Sequence, residues 1–100
     1  MMRILPNPAK EATNRRKDGL DFSGIAEVLT NGSTVDYPDD RPLGYEREGR
    51  VRLLGLLGAG VVVLVFEPVD LPDGTLGVRP ISLHKADAKE RRVYAGKRRW

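Results

Sequence analysis

The chain has 100 residues, of which 40% are hydrophobic and 31% charged, a composition typical of one globular domain. It has no cysteine and one histidine, which excludes disulfides, thiolate zinc sites, a cysteine nucleophile and a catalytic histidine pair. The net charge of +3 is uneven, because residues 1–20 carry +3, residues 21–80 carry −5 and residues 81–100 carry +5. We expect one domain over residues 1–96 and a basic tail over 97–100.

The first part of the chain predicts a short edge strand followed by a helix. Arg3–Leu5 is apolar enough for the strand. Asn7 fits as the N-cap of a helix over 8–18, with Pro8 at its first position and Gly19 at its end. The helix has few apolar residues, so we expect its polar face to serve a ligand. The polar face contains Lys10, Asn14 and Lys17.

A second helix and a short strand come next. Asp21 is expected to cap a helix that runs from Phe22 to Thr30. Its predicted core positions follow helical spacing and are Phe22, Ile25, Ala26 and Leu29. Val35 and Tyr37 alternate with polar residues, which indicates a short strand before a polar loop.

The second half predicts an antiparallel meander and a last helix. Strands are expected over 50–57, 61–69 and 75–83, and the continuous apolar run at 61–66 is typical of a central strand covered on both faces. Pro80 cannot donate a ladder hydrogen bond, which places it at an edge or a bulge. Asp87 and Glu90 form a capping box for a helix from Ala88 to about Gly96.

The order of strand, two helices, antiparallel sheet and late helix resembles the α+β fold of RelE-like ribonuclease toxins, with about five strands in all. Two segments narrow the resemblance to the BrnT family of type II toxin–antitoxin systems. The segment NPAKEATNRRKDGLDFSGIAEVL resembles its opening, at Pro8, Lys10, Asn14, Lys17, Gly19 and Phe22. The segment VRPISLHKADAKERRVY resembles its closing part, at Arg79, Ile81, Ser82, Lys85, Ala86, Glu90 and Tyr94.

The resemblance implies an endoribonuclease that arrests translation, with no metal and no cofactor. RNA can be cut by its own 2′-hydroxyl when a base, an acid and cations for the phosphorane are in place. The catalytic candidates are Arg79, His84, Lys85, Glu90 and Tyr94. The candidates for RNA binding are Lys10, Asn14, Lys17, Arg91 and Arg92.

Several of these candidates have a plain structural alternative. Glu90 is explained by the capping box alone, and Tyr94 by packing of its ring on the sheet. His84, the one side chain with an ordinary pKa near neutrality, could simply be exposed. Arg79 alternates with Ile81 and Leu83, so we expect it on the same face as these two.

The charge distribution and one acidic segment give two further expectations. The basic ends predict that the first and last helices lie on the same side of the sheet, where Lys17, Arg79 and Lys85 form one patch. The acidic segment DYPDD, with Asp36, Asp39 and Asp40, could bind a divalent ion but is interpreted as solvated loop.

The family resemblance also implies a partner, a BrnA-type antitoxin with a ribbon-helix-helix domain, so that DNA is contacted only through the antitoxin. Asp18 and His84 stand where the family has histidine and arginine. A catalytically degenerate toxin that binds the antitoxin and co-represses the operon is therefore the alternative function. No signal peptide or bilayer-spanning run is evident, so we expect a cytoplasmic protein that contacts no membrane.

Overall fold

The computed structural model describes residues 2–37 and 49–98, and for Arg98 the backbone alone. The predicted loop at 38–47, with Asp39 and Asp40, and the end of the predicted tail lie outside these residues. Within these ranges the chain forms five strands, three α-helices and one 3-10 turn. In chain order they are β1 Met2–Ile4, α1 Pro8–Asp18, a 3-10 turn Phe22–Gly24 that continues into α2 Ile25–Thr30, β2 Val35–Asp36, β3 Val51–Leu57, β4 Gly60–Asp70, β5 Leu76–Lys85 and α3 Ala88–Arg98.

The sheet has five strands in the order β1-β5-β4-β3-β2. The pairs β2–β3, β3–β4 and β4–β5 are antiparallel, while β1 runs parallel to β5. The predicted α+β architecture is confirmed, and so is the central position of the apolar run at 61–66. Val63, in the middle of that run, is 1% exposed because both faces of β4 are covered.

Each face of the sheet carries its own core. One core joins Ile25 and Val28 of α2 to Leu64 and Leu83. The other joins Tyr94 of α3 to strand residues that include Val63 and Leu54. Since neighbouring residues on a strand point to opposite faces, α2 and α3 lie on opposite sides of the sheet. These are called the α2 face and the α3 face below.

The first helix belongs to the α2 side. The backbone N–H of Phe22 donates to Oε2 of Glu11 at 2.9 Å, and the side chain of Asn14 donates to the carbonyl of Leu20 at 2.9 Å. Leu20 and Phe22 both pack against the core of the α2 face. The prediction that the first and last helices share one side of the sheet is therefore wrong. Clustering of basic residues at the two ends of the chain does not determine the face of the sheet on which each helix packs.

The boundaries of α1 are as predicted, but Asn7 does not cap it through its side chain. Gly19 ends the helix in the left-handed conformation, with φ of 73°. The Nδ2 of Asn7 instead donates across to the carbonyl of Pro80 at 2.7 Å. Asn7 therefore ties the start of the helix to β5.

The second helix begins with a 3-10 turn, which changes the residues that face the core. Asp21 caps this turn as predicted, accepting from the backbone N–H of Ser23 at 3.0 Å. A 3-10 turn has three residues per turn, so the helical phase shifts before Ile25. As a result Val28 is buried and Ala26 is exposed, which corrects the predicted core set.

A β-bulge in β5 reverses which side chains share a face. Val65 pairs with Ser82 while Phe66 pairs with Pro80, so Ile81 is an extra residue. Pro80 thus lies at a bulge, as predicted. Beyond the bulge Arg79 pairs with Glu67, on the α3 face, whereas Leu83 is in the core of the α2 face. The expectation that Arg79 shares a face with Leu83 is wrong because it assumed a regular strand.

Candidate active site

The α3 face of the sheet carries polar side chains where α3 does not cover it. Arg52, Val65 and Ser82 form one row across β3, β4 and β5. His84 pairs with Val63 in the next row on one side of this row. Arg79 pairs with Glu67 in the next row on its other side, on the same face of the sheet. Cross-strand partners share a face, so these polar groups border one surface.

His84 and Glu90 come together at the junction of β5 and α3. The Nε2 of His84 is 3.8 Å from Oε2 of Glu90, and the two side chains are 34% and 15% exposed. The other oxygen of Glu90, Oε1, accepts from the backbone N–H of Asp87 at 2.9 Å, and the N–H of Glu90 donates to Oδ1 of Asp87 at 2.8 Å. The predicted capping box is confirmed, and it leaves the second oxygen of Glu90 facing the imidazole.

Two arginines supply positive charge on this face. Arg79 is exposed, and no hydrogen bond or ion pair holds its guanidinium within the described residues. Arg52 is held in place, since its Nε donates to the carbonyl of Tyr37 at 2.6 Å and its guanidinium carbon lies 4.0 Å from the centroid of the Tyr37 ring. Stacking on the ring and the hydrogen bond to the carbonyl fix the orientation of this guanidinium.

Arg52 is not among the site residues predicted from the sequence, although its strand carries a signal for it. In RVRLL a charge alternates with Leu54 inside an apolar strand, the same pattern that drew attention to Arg79. A charge in such a row lies at a rim or has a partner. In the structure Arg52 lies at the rim of the open part of the α3 face, and it also has a partner, the ring of Tyr37.

Tyr94 is near this surface but is not available to a substrate. It is 8% exposed, packs in the core of the α3 face, and its hydroxyl donates to the carbonyl of Ser33 at 2.7 Å. The structure therefore favours the packing alternative for Tyr94 and places the residue outside the candidate site.

Lys85 and Arg79 lie on opposite faces of the sheet. Lys85 pairs with Val62, whose side chain is in the core of the α2 face. Lys17 and Lys10 are exposed on α1. The predicted single patch of Lys17, Arg79 and Lys85 is therefore wrong. Lys85 lies on the other face of the sheet from Arg79 and His84.

The other residues predicted to bind RNA are in different environments. Arg92 is exposed on α3, and Arg91 is exposed but donates through Nη1 to the carbonyl of Ala86 at 2.8 Å. Asn14 is 3% exposed, and its amide is bonded to Leu20 and Leu83. The polar face of α1 thus holds the helix on the sheet through Asn14, which corrects the expectation that this residue faces a ligand.

The comparison with protein families bears directly on this arrangement. A family described as the ribonuclease toxin, BrnT, of type II toxin–antitoxin systems matches residues 7–90. The chain belongs to the BrnT family. A comparison with curated proteins found no match.

The BrnT match confirms the family resemblance of the two sequence segments, and it makes the chain a toxin-family protein. The matched range begins with the α1 cap and ends at Glu90, so it contains Arg52, Arg79 and His84 but not Tyr94. Within residues 2–37 and 49–98 no group of His, Asp and Glu is arranged to hold a metal ion. No helix in the same ranges has both the length and the apolar run that crossing a bilayer requires.

Proposed function

We propose that this BrnT protein is an endoribonuclease that cuts RNA in the cytoplasm without a metal ion and so arrests translation. The observation that supports it most is the approach of Nε2 of His84 to Oε2 of Glu90, 3.8 Å apart at a partly exposed position. Arg79 and Arg52 border the same face. This face therefore offers cleavage by the 2′-hydroxyl a base, a carboxylate that stabilises the protonated base, and two cations for the phosphorane.

In this mechanism His84 accepts the proton of the 2′-hydroxyl while the 2′ oxygen attacks the adjacent phosphorus. The bond from phosphorus to the 5′ oxygen breaks, which leaves a 2′,3′-cyclic phosphate and a 5′-hydroxyl. The imidazolium formed in the first transfer is the available proton donor for the leaving oxygen. Glu90 stabilises this imidazolium through charge, and the capping box keeps its carboxylate turned toward the ring.

The arginines act on the phosphate. A guanidinium can bind two phosphate oxygens at once, and its charge stabilises the phosphorane that forms during attack. Arg79 has no internal partner among the described residues, so its side chain is free to reach a bound strand. Arg52 is fixed by Tyr37 and sets the position of a second phosphate contact.

The direct test is cleavage of a long RNA by the purified protein in chelator. Arg79→Ala should slow cleavage about a hundredfold, the usual loss when one group that stabilises the charge of the transition state is removed. His84→Ala removes the group that accepts the proton of the 2′-hydroxyl and should slow cleavage at least as much. Lys89→Ala is the control, since Lys89 is exposed on α3 and has no partner in the described residues. Full activity in both site variants would refute the assigned site.

Glu90→Gln separates the two roles of Glu90. Glutamine can still accept from the N–H of Asp87 and keep the capping box. It removes the charge that faces His84, and we expect cleavage to fall about fivefold, because a partly exposed ion pair is worth on the order of 1 kcal/mol. Equal rates for Glu90→Gln and the wild type would leave Glu90 with the capping role alone.

The partner in this proposal is an antitoxin of the BrnA type with a ribbon-helix-helix domain, so that the toxin meets DNA only through the antitoxin. Departures from the family pattern at Asp18 and His84 support the second candidate, a degenerate toxin that binds antitoxin without cutting RNA. Growth arrest on expression without the antitoxin distinguishes the two. A wild type that binds antitoxin tightly and cuts no RNA would favour the degenerate toxin.

A further inference from the structure

A half-enclosed cleft of about 250 Å³ opens at the end of the sheet near the β3–β4 hairpin, where β5 leads into α3. Its walls are aliphatic and include Leu20, Leu57 and Val62, and two cations, Lys85 and Arg91, border it. The cleft lies between the segment after α1, the β3–β4 hairpin and the first turn of α3. This volume is below the roughly 300 Å³ at which pockets for small-molecule ligands begin, but it can hold an apolar side chain.

The two cations at the cleft lack acidic partners within residues 2–37 and 49–98. Lys85 is exposed and makes no hydrogen bond or ion pair with any described residue. Arg91 donates to the carbonyl of Ala86 and meets no carboxylate in the same part of the chain. An apolar cleft beside two unpaired cations is complementary to an apolar side chain that has carboxylates next to it.

We infer that this cleft binds an acidic amphipathic segment of the antitoxin, with one apolar side chain inserted beside Leu57 and carboxylates on Lys85 and Arg91. The inference rests on the proposed function, in which a toxin is neutralised by a protein partner. It also gives Lys85 and Arg91 a role different from those predicted for them, contact with protein rather than with RNA.

The chemistry of the walls favours a protein over RNA. Single-stranded bases are bound by stacking on aromatic rings and by hydrogen bonds to their edges. Among the described residues the lining contains no aromatic side chain, and its only side chains with hydrogen-bonding groups are Lys85 and Arg91. Lys85 also points to the face opposite Arg79 and His84, so the cleft can be altered without touching the candidate active site.

Gly60 offers a way to fill the cleft without changing its charge. It lines the cleft and pairs with Leu57, so a side chain at position 60 lies on the same face as Leu57. An added Cβ would meet nothing closer than the carbonyl oxygen of Leu57 at 3.8 Å, which is ordinary contact. Gly60→Leu is therefore expected to fold and to occupy the space of the inserted side chain.

The experiment measures binding of the purified small protein encoded by the reading frame next to the toxin's own, by titration calorimetry. Gly60→Leu and the double variant Lys85→Glu, Arg91→Glu should each weaken binding at least a hundredfold. Lys89→Glu is the matched control, with one charge reversed on the same helix, and should bind within threefold of the wild type. Circular dichroism checks each variant, and the single variant Arg91→Glu replaces the double one if that fails to fold.

The outcomes separate the cleft from the function. No binding by the wild type would refute the antitoxin partnership in the proposed function, and the cleft assignment with it. Wild-type affinity in all the variants would refute the binding role of the cleft and would leave the antitoxin partnership unaffected. A fluorescent single-stranded RNA that binds the wild type but not Gly60→Leu, while antitoxin binding is unchanged, would make the cleft an RNA site and overturn the inference.

Discussion

Asn14 on α1 pairs with the backbone of Leu83 on β5 as a neighbouring strand would. Its Nδ2 donates to the Leu83 carbonyl at 2.7 Å, and its Oδ1 accepts from the Leu83 N–H at 2.8 Å. The β1 strand covers β5 only at residues 76–78, so these two groups have no strand beside them. Asn7, at the start of the same helix, donates to the carbonyl of Pro80. The two asparagines seal an edge that would otherwise be open to pairing with another chain.

Asn14→Ala should therefore destabilise the protein by about 2–3 kcal/mol, because it leaves the N–H and the carbonyl of Leu83 buried without partners. Urea unfolding followed by circular dichroism measures the loss. Lys17→Ala, one turn along the same helix at an exposed position, should change stability by less than about 0.5 kcal/mol. Equal effects of the two substitutions would contradict the edge role of Asn14.

Gly55→Ala should destabilise the protein although the change adds a single methyl group. A Cβ at Gly55 would lie 2.8 Å from Cγ1 of Val28 and 3.2 Å from Cγ2 of Thr34. Valine in a helix has essentially one χ1 rotamer, so Val28 cannot turn away, and we expect a loss of about 1–3 kcal/mol. Gly60→Ala serves as the comparison, because its nearest atom is 3.8 Å away. The midpoints of thermal unfolding should separate the two variants clearly.

Tyr94→Phe distinguishes a structural role from a catalytic one. It removes the hydroxyl that donates to the carbonyl of Ser33 but keeps the ring in the core, so stability should fall by about 1 kcal/mol. RNA cleavage well below the melting temperature should equal that of the wild type. A variant that melts like the wild type and has lost cleavage would show that the hydroxyl acts in the reaction.

Asp21 should make the fold sensitive to acid. Hydrogen bonds from the Ser23 hydroxyl and then from the Ser23 N–H hold the pKa of Asp21 below its usual value of 3.8. The stability that the lowered pKa brings is complete above 3.8 and is lost as the pH falls through the lower pKa of the folded protein. Between about pH 5 and pH 2, the melting temperature of Asp21→Asn should accordingly fall less than that of the wild type. Asp18→Asn, at an exposed position that caps no helix, should follow the wild type.

The parts of the fold that local sequence determines could be predicted. The limits of α1 follow from Pro8 and Gly19, whose backbone preferences act without help from the rest of the chain. The capping box at Asp87 likewise needs only residues three positions apart. The central strand follows from an apolar run that must be covered on both faces.

What could not be predicted depends on packing between distant segments. The side of the sheet on which α3 lies, and hence the separation of Lys85 from Arg79, is set by the two cores rather than by charge. The burial of Asn14 needs an unpaired stretch of β5 sixty-nine residues away in sequence. The pairing of His84 with Glu90 could be expected in outline, since the box places Glu90 close after β5, but its geometry could not.

Because β5 contains one extra residue, the number of residues between Arg79 and His84 decides whether their side chains share a face, whatever those residues are. Arg79 and His84 are five positions apart, and an odd separation in a regular strand sends two side chains to opposite faces. Ile81 at the bulge restores them to one face, so replacing it with another residue keeps the register. Deleting it would instead rotate the preceding segment by half a turn, bringing the guanidinium of Arg79 toward the interior and the side chain of Val78 out to water.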